Sequence, residues 1–220
     1  MDFEKDKYKV VRKLVPKNVV DKLYIYAKSV SQKQVRDPES GERPGFYGDA
    51  LMETLLVELT PRIQDLTGLQ LDPTFSYFRV YRNGDVLKRH LDRTSCEISV
   101  TLTIGVDGKR WPIFVRNPEG KESSILLAPG DGLLYRGCEC EHWREIFEGE
   151  RQAQLSLHYV DQQGPYSDYR YDKRPKLVIS PFRFLGQASH RSSLSDISKH
   201  CPINAVSCLL GSRLPSGRVL

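Results

Sequence analysis

Hydrophobic and polar positions change their period twice along this chain. Tyr8–Val15 is a short apolar run of strand type. After Pro16, a residue suited to a helix start, Val19, Leu23, Tyr26, Ala27 and Val30 recur at helical spacing. Residues 37–45 (Asp-Pro-Glu-Ser-Gly-Glu-Arg-Pro-Gly) read as a loop from their breakers. Met52, Leu55, Leu56, Leu59, Ile63 and Leu66 then form a second helical stripe, with a kink or fresh start expected at Thr60-Pro61 and a stop at Gly68. From Leu71 the period becomes that of strands, in residues 74–82, 96–105, 110–116, 122–128, 132–136 and 153–160. Gly84, Gly108, Pro118-Glu119-Gly120, Pro129-Gly130 and Gly149 punctuate them. Two helices followed by many short strands predict an α+β, mainly β fold, with the helices packed on one side of an antiparallel sandwich or barrel.

The pattern decays after Val160. Residues 183–220 hold eight serines in 38 positions and no periodic stretch, the composition of a disordered or loosely attached tail. The expected organisation is one domain over residues 1–182, with helices in about 16–68 and a barrel in about 70–162.

Composition narrows the class. A chain of 220 residues supports one substantial core, and 39% hydrophobic with 28% charged residues is the balance of a globular protein. No stretch approaches the roughly 20 apolar residues of a membrane helix, and the N-terminus is charged, so a cytoplasmic protein is the default expectation. Five cysteines without regular spacing suit reduced thiols. The net charge is +5, but Arg183, Arg191, Lys199, Arg213 and Arg218 against Asp196 place four of those charges in the tail. The nearly neutral body argues against a polyanion partner.

The chemistry concentrates around Tyr81–Asp92. A strand ends, Gly84 turns the chain, and it returns as His90-Leu91-Asp92. Residues i and i+2 of an extended chain share a face, so His90 and Asp92 can bind one ion. A second imidazole would complete the facial triad that suits non-haem iron(II). His142 and His158 are the candidates outside the tail. Arg151 opens an apolar strand nine positions after His142, where a guanidinium is costly unless it meets an anion. Nothing comparable follows His158, so His142 is the expected third ligand and His158 a strand histidine bonded to a neighbour. Cys138-x-Cys140-x-His142 lacks the second half and the spacing of a structural zinc site. Arg93, Trp111, Trp143 and Arg144 lie near the expected mouth without an assigned role.

His90-x-Asp92, His142 and Arg151, in this order, resemble the 2-oxoglutarate/Fe(II)-dependent oxygenase superfamily. Pro129–Gly137 ahead of Cys138–Glu145 is similar to its prolyl 4-hydroxylase-like branch, and the likeness covers about residues 70–162. The resemblance implies a double-stranded β-helix (jelly-roll) core with N-terminal buttressing helices. It implies Fe(II) held by His90, Asp92 and His142, with O2 and 2-oxoglutarate consumed to hydroxylate a substrate and release succinate and CO2. It further implies that Arg151 pairs with the distal carboxylate of 2-oxoglutarate and that Tyr81 reaches the same group. Peptidyl proline or a small molecule is the favoured substrate, with the substrate itself and the oligomeric state left open. A nucleobase-demethylating oxygenase is the alternative within the class, weakened because no second arginine follows Arg151 on its strand. A non-catalytic cupin-like metal-binding protein is the alternative outside it, although such sites pair His-x-His with a glutamate.

Overall fold

The structure is a computed structural model that describes residues 3–32, 34 and 44–185. Its helices are α1 (Phe3–Asp6), α2 (Lys17–Val30) and α3 (Ala50–Thr67). Its strands are β1 (Tyr8–Val11), β2 (Phe46–Tyr47), β3 (Leu71–Arg82), β4 (Leu87–His90), β5 (Ile98–Asp107), β6 (Ile113–Arg116), β7 (Glu122–Ile125), β8 (Gly132–Arg136), β9 (Glu141–Arg144) and β10 (Arg151–Asp161). Asp49 caps α3 by accepting from the Leu51 and Met52 N–H groups, and Gly68 ends it in the left-handed conformation. Pro61 lies within α3, which continues through it.

Two antiparallel sheets form the double-stranded β-helix. The larger has the order β1-β8-β5-β10-β3-β2 and the smaller β4-β9-β6-β7. Helices α2 and α3 cover the outer face of the larger sheet. Val20, Leu23, Leu55, Leu56, Leu59 and Ile63 pack there against Val100, Leu102, Leu155 and Leu157. Gly105 admits this packing, because a Cβ there would lie 2.1 Å from the Tyr24 ring.

The covering helices reverse the usual meaning of strand alternation. In β10 the apolar residues Ala153, Leu155, Leu157 and Tyr159 belong to the helix-side core, whereas Gln152, Gln154 and His158 are buried polar residues. Ser99, Thr101 and Thr103 continue that polar inner face on β5. A polar surface removed from solvent on both sides is the lining of a ligand cavity rather than a core.

Elements β2, β4 and β9 are too short or too polar for the periodicity to reveal them. The expected loop at 37–45 is described only from Pro44, and the expected tail only through Leu185. There, Phe184 and Leu185 donate backbone N–H groups to Glu58 at 3.1 and 2.9 Å. Among the described residues, no helix is long and apolar enough to cross a membrane.

Candidate active site

His90 and His142 face each other as cross-strand partners on β4 and β9, with ring centroids 4.3 Å apart. Asp92 lies just beyond β4, its N–H held by the Gly137 carbonyl at 2.9 Å. Asp92 Oδ1 lies 3.7 Å from His90 Nε2 and 3.6 Å from His142 Nε2. Among the described residues, these three form one of two clusters whose donor atoms fall within 4.8 Å of one another. Separations of this size leave room for one ion about 2.0–2.3 Å from each atom.

The hydrogen bonds behind the histidines fit a metal. His90 Nδ1 lies 2.7 Å from the Lys88 carbonyl and His142 Nδ1 3.1 Å from the Cys140 carbonyl. Each carbonyl fixes the ring proton on Nδ1 and turns the Nε2 lone pair toward Asp92, as metal-binding histidines require. Burial, offset in part by Asp92, holds the His142 pKa below its ordinary value, so protons compete weakly for Nε2. Cys138 and Cys140 Sγ instead contact the Arg93 and Lys7 carbonyls, each at 3.5 Å, and do not join His142 in a cluster.

The triad opens into a cavity of about 470 Å³, within the usual range for small-molecule sites. Tyr81 lines it, with its ring edge-on to Trp111 at 4.9 Å. Arg151 does not belong to the lining. It opens β10 in register with Asp107, has a side chain 37% exposed, and places Nη1 3.5 Å from Asp107 Oδ2. Strand parity explains the placement: Arg151 shares the phase of Ala153 and Leu155, which serves the helix side, while Gln154, Ser156 and His158 of the opposite phase line the cavity.

Another arginine occupies the interior. Arg144 lies two residues after His142 on β9, so both side chains share a face. It lines the cavity and is 3% exposed. Nη1 donates to the Trp111 carbonyl at 2.5 Å, and the guanidinium lies 5.1 Å from the Trp111 ring centre. Nη2 is buried and has no hydrogen-bond partner among the described residues. Burial pushes the Arg144 pKa down to about 10, and an unpaired cation in such surroundings is costly unless an anion completes it. The period-two step from His142 was the available signal. Glu-His-Trp-Arg carries no strand-like apolar pattern to show that the two share a strand.

His158 is buried on β10 with Nδ1 2.9 Å from Ser99 Oγ, the bonded strand histidine expected. Burial pushes its pKa down to about 4 from 6.5. The unfolded chain takes up a proton near 6.5 that the native fold resists until about 4. This contribution to stability is therefore complete above 6.5 and declines as pH falls toward 4. Urea unfolding of His158→Asn between pH 7 and 4 should show a shallower acid loss than wild type. An unchanged slope would mean that His158 ionises freely in the native protein.

The fold is similar to that of solved 2-oxoglutarate/Fe(II)-dependent enzymes. A Pseudomonas putida prolyl-4-hydroxylase superposes with a TM-score of 0.61 at 16% identity, covering 73% of this chain and 95% of that one. The 2-oxoglutarate-dependent epimerase SnoN of nogalamycin biosynthesis gives 0.62 at 15%, covering 83% and 90%. Iron-bound EctD from S. alaskensis gives 0.60 at 15%, covering 81% and 85%. At these identities the likeness carries the fold. No family model and no curated protein sequence matches the chain.

Proposed function

We propose that this protein is an Fe(II)- and 2-oxoglutarate-dependent oxygenase. In this reading His90, Asp92 and His142 hold the metal, and Arg144 with Tyr81 takes the distal carboxylate of 2-oxoglutarate. One observation carries it: a histidine–carboxylate triad shares its cavity with a buried guanidinium whose Nη2 has no partner among the described residues. A metal-binding scaffold has no use for that cation, whereas a dianionic co-substrate chelating iron at one end and reaching Arg144 at the other does.

Bound iron, with O2 and 2-oxoglutarate, supplies the oxidising chemistry and yields succinate and CO2. The chain's own residues do the placing. The Lys88 and Cys140 carbonyls orient the two imidazoles, and the Trp111 carbonyl and ring hold Arg144. The two sheets enclose the inner end of the cavity, where a charge-assisted pair is strongest. His90, with a side chain 39% exposed, marks the open side from which substrate enters. The proteins similar in fold include a prolyl-4-hydroxylase and an epimerase solved in complex with nogalamycin RO, so a peptidyl proline or a small molecule is the substrate class we favour.

Anaerobic titration with Fe(II) and then 2-oxoglutarate tests the reading. Wild type should develop the metal–keto-acid charge-transfer absorbance only when both are present, and should release succinate in a screen of peptides and small molecules. Asp92→Ala should lose iron by more than the roughly 10–100-fold that follows removal of a supporting group, while its melting temperature stays within a few degrees. Iron binding without any response to 2-oxoglutarate would point to a non-catalytic metal protein.

A further inference from the structure

We infer that Ser99 and His158 form a hydrogen-bonded relay that holds Asp92 as a one-oxygen ligand, making His158 a positioning residue that acts through Ser99. The inference rests on the metal site assigned to His90, Asp92 and His142.

The two oxygens of Asp92 have different surroundings. Oδ1 faces both histidine Nε2 atoms, at 3.7 and 3.6 Å. Oδ2 lies 3.0 Å from Ser99 Oγ, a fully buried hydroxyl. That hydroxyl has one proton and three acceptors in reach: Asp92 Oδ2, the Cys96 carbonyl at 3.1 Å and His158 Nδ1 at 2.9 Å. A neutral imidazole with its proton on Nδ1 resolves the competition by donating to Ser99 Oγ. The serine proton is then free for its best acceptor, the anionic carboxylate, because charge-assisted bonds are roughly twice as strong as neutral ones. The relay runs His158 Nδ1–H to Ser99 Oγ–H to Asp92 Oδ2. Tyr135, buried beside His142, brings its hydroxyl within 3.3 Å of His142 Nε2.

Two features follow. His158 lines the cavity and stands with Asp92 and Cys96 in the second candidate cluster, but the relay commits its Nδ1 to Ser99. Oδ2 is kept off the metal, so Asp92 occupies one coordination position, and the keto acid and oxygen keep the three that a facial triad leaves open.

Mn(II) alone is the probe, followed by water-proton relaxation, which reports affinity and the number of waters on the ion. Wild type should bind Mn(II) with three waters, and His90→Ala should bind it far more weakly. Ser99→Ala and His158→Leu should bind roughly 10–100-fold more weakly. The bound ion should also lose about a third of its relaxivity, because a two-oxygen carboxylate leaves two waters where the facial triad leaves three. Ser99→Thr keeps the hydroxyl and His158→Asn keeps an N–H at the Nδ1 position, so both should return near wild type. A role confined to packing would lower melting temperature in Ser99→Ala and His158→Leu and leave relaxivity alone. That result, in a wild type that binds Mn(II) through His90, overturns the relay and spares the metal site. A wild type that fails to bind, or that binds equally after His90→Ala, overturns both.

Discussion

Arg144→Met should raise the apparent 2-oxoglutarate constant about 10–100-fold while leaving iron affinity in the absence of co-substrate nearly unchanged. The magnitude comes from the lost charge-assisted pair, about 1.5–3 kcal/mol, at about 1.4 kcal/mol per tenfold. Thermal denaturation gives a second readout. At a concentration 100 times its wild-type dissociation constant, 2-oxoglutarate should stabilise the iron-loaded wild type by about 2.7 kcal/mol, a rise of about 5–10 °C for a chain of this size. Most of that rise should vanish in Arg144→Met. The unliganded variant should melt no lower than wild type. Methionine removes an unpaired buried cation, and the Trp111 carbonyl keeps Gln152 Nε2 at 3.4 Å as a donor. Arg144→Lys should fall between the two, because an ammonium restores charge without the planar fork. Arg151→Leu, which removes only the half-exposed contact with Asp107, should shift the constant less than about twofold. An effect of Arg151→Leu equal to that of Arg144→Met would overturn the assignment of the buried guanidinium.

Gly137→Ala should cost iron binding nearly as much as losing a ligand, although residue 137 carries no donor atom. A Cβ there would lie 2.1 Å from the Cys96 carbonyl oxygen, 2.6 Å from Asp92 Oδ2 and 2.9 Å from Asp92 Cβ. The carbonyl is backbone and cannot swing aside. Gly137 is also tied to both neighbours, accepting from the Asp92 N–H and donating to the Glu97 carbonyl, each at 2.9 Å. The added methyl must displace either those backbone contacts or the aspartate. Overpacking of this kind costs about 1–3 kcal/mol, or about 2–12 °C in melting temperature. Circular dichroism separates a folded protein with a displaced Asp92 from a misfolded one. A folded Gly137→Ala protein with wild-type iron affinity would show that Asp92 has slack, contrary to the packing described.

The amino-acid sequence by itself determined the helix-then-strand order and an antiparallel sandwich or barrel, because the change from period 3.6 to period 2 is a local property of the chain; the jelly roll was implied by the resemblance of its motifs. It also held the expectation that His90 pairs with Asp92 and that His142 rather than His158 joins them. The first followed from i, i+2 geometry. The second was argued from Arg151, which does not line the cavity; His142 stands with His90 and Asp92 in one candidate cluster, and His158 with Asp92 and Cys96 in the other. What the tertiary structure alone decided was which face of each strand is inside. In β10 the apolar residues look like the core face and the glutamines like the solvent face. Both are buried, because α2 and α3 cover the apolar side and the smaller sheet closes over the polar one. Arg151 shares the phase of the apolar set and so turns from the cavity toward Asp107. Arg144 shares the phase of His142 and so turns into it. The same covering makes Thr101, Gln154, Ser156 and His158 cavity residues. Alternation along a strand sorts side chains into two sets, and only the elements packed on either side decide which set meets the ligand.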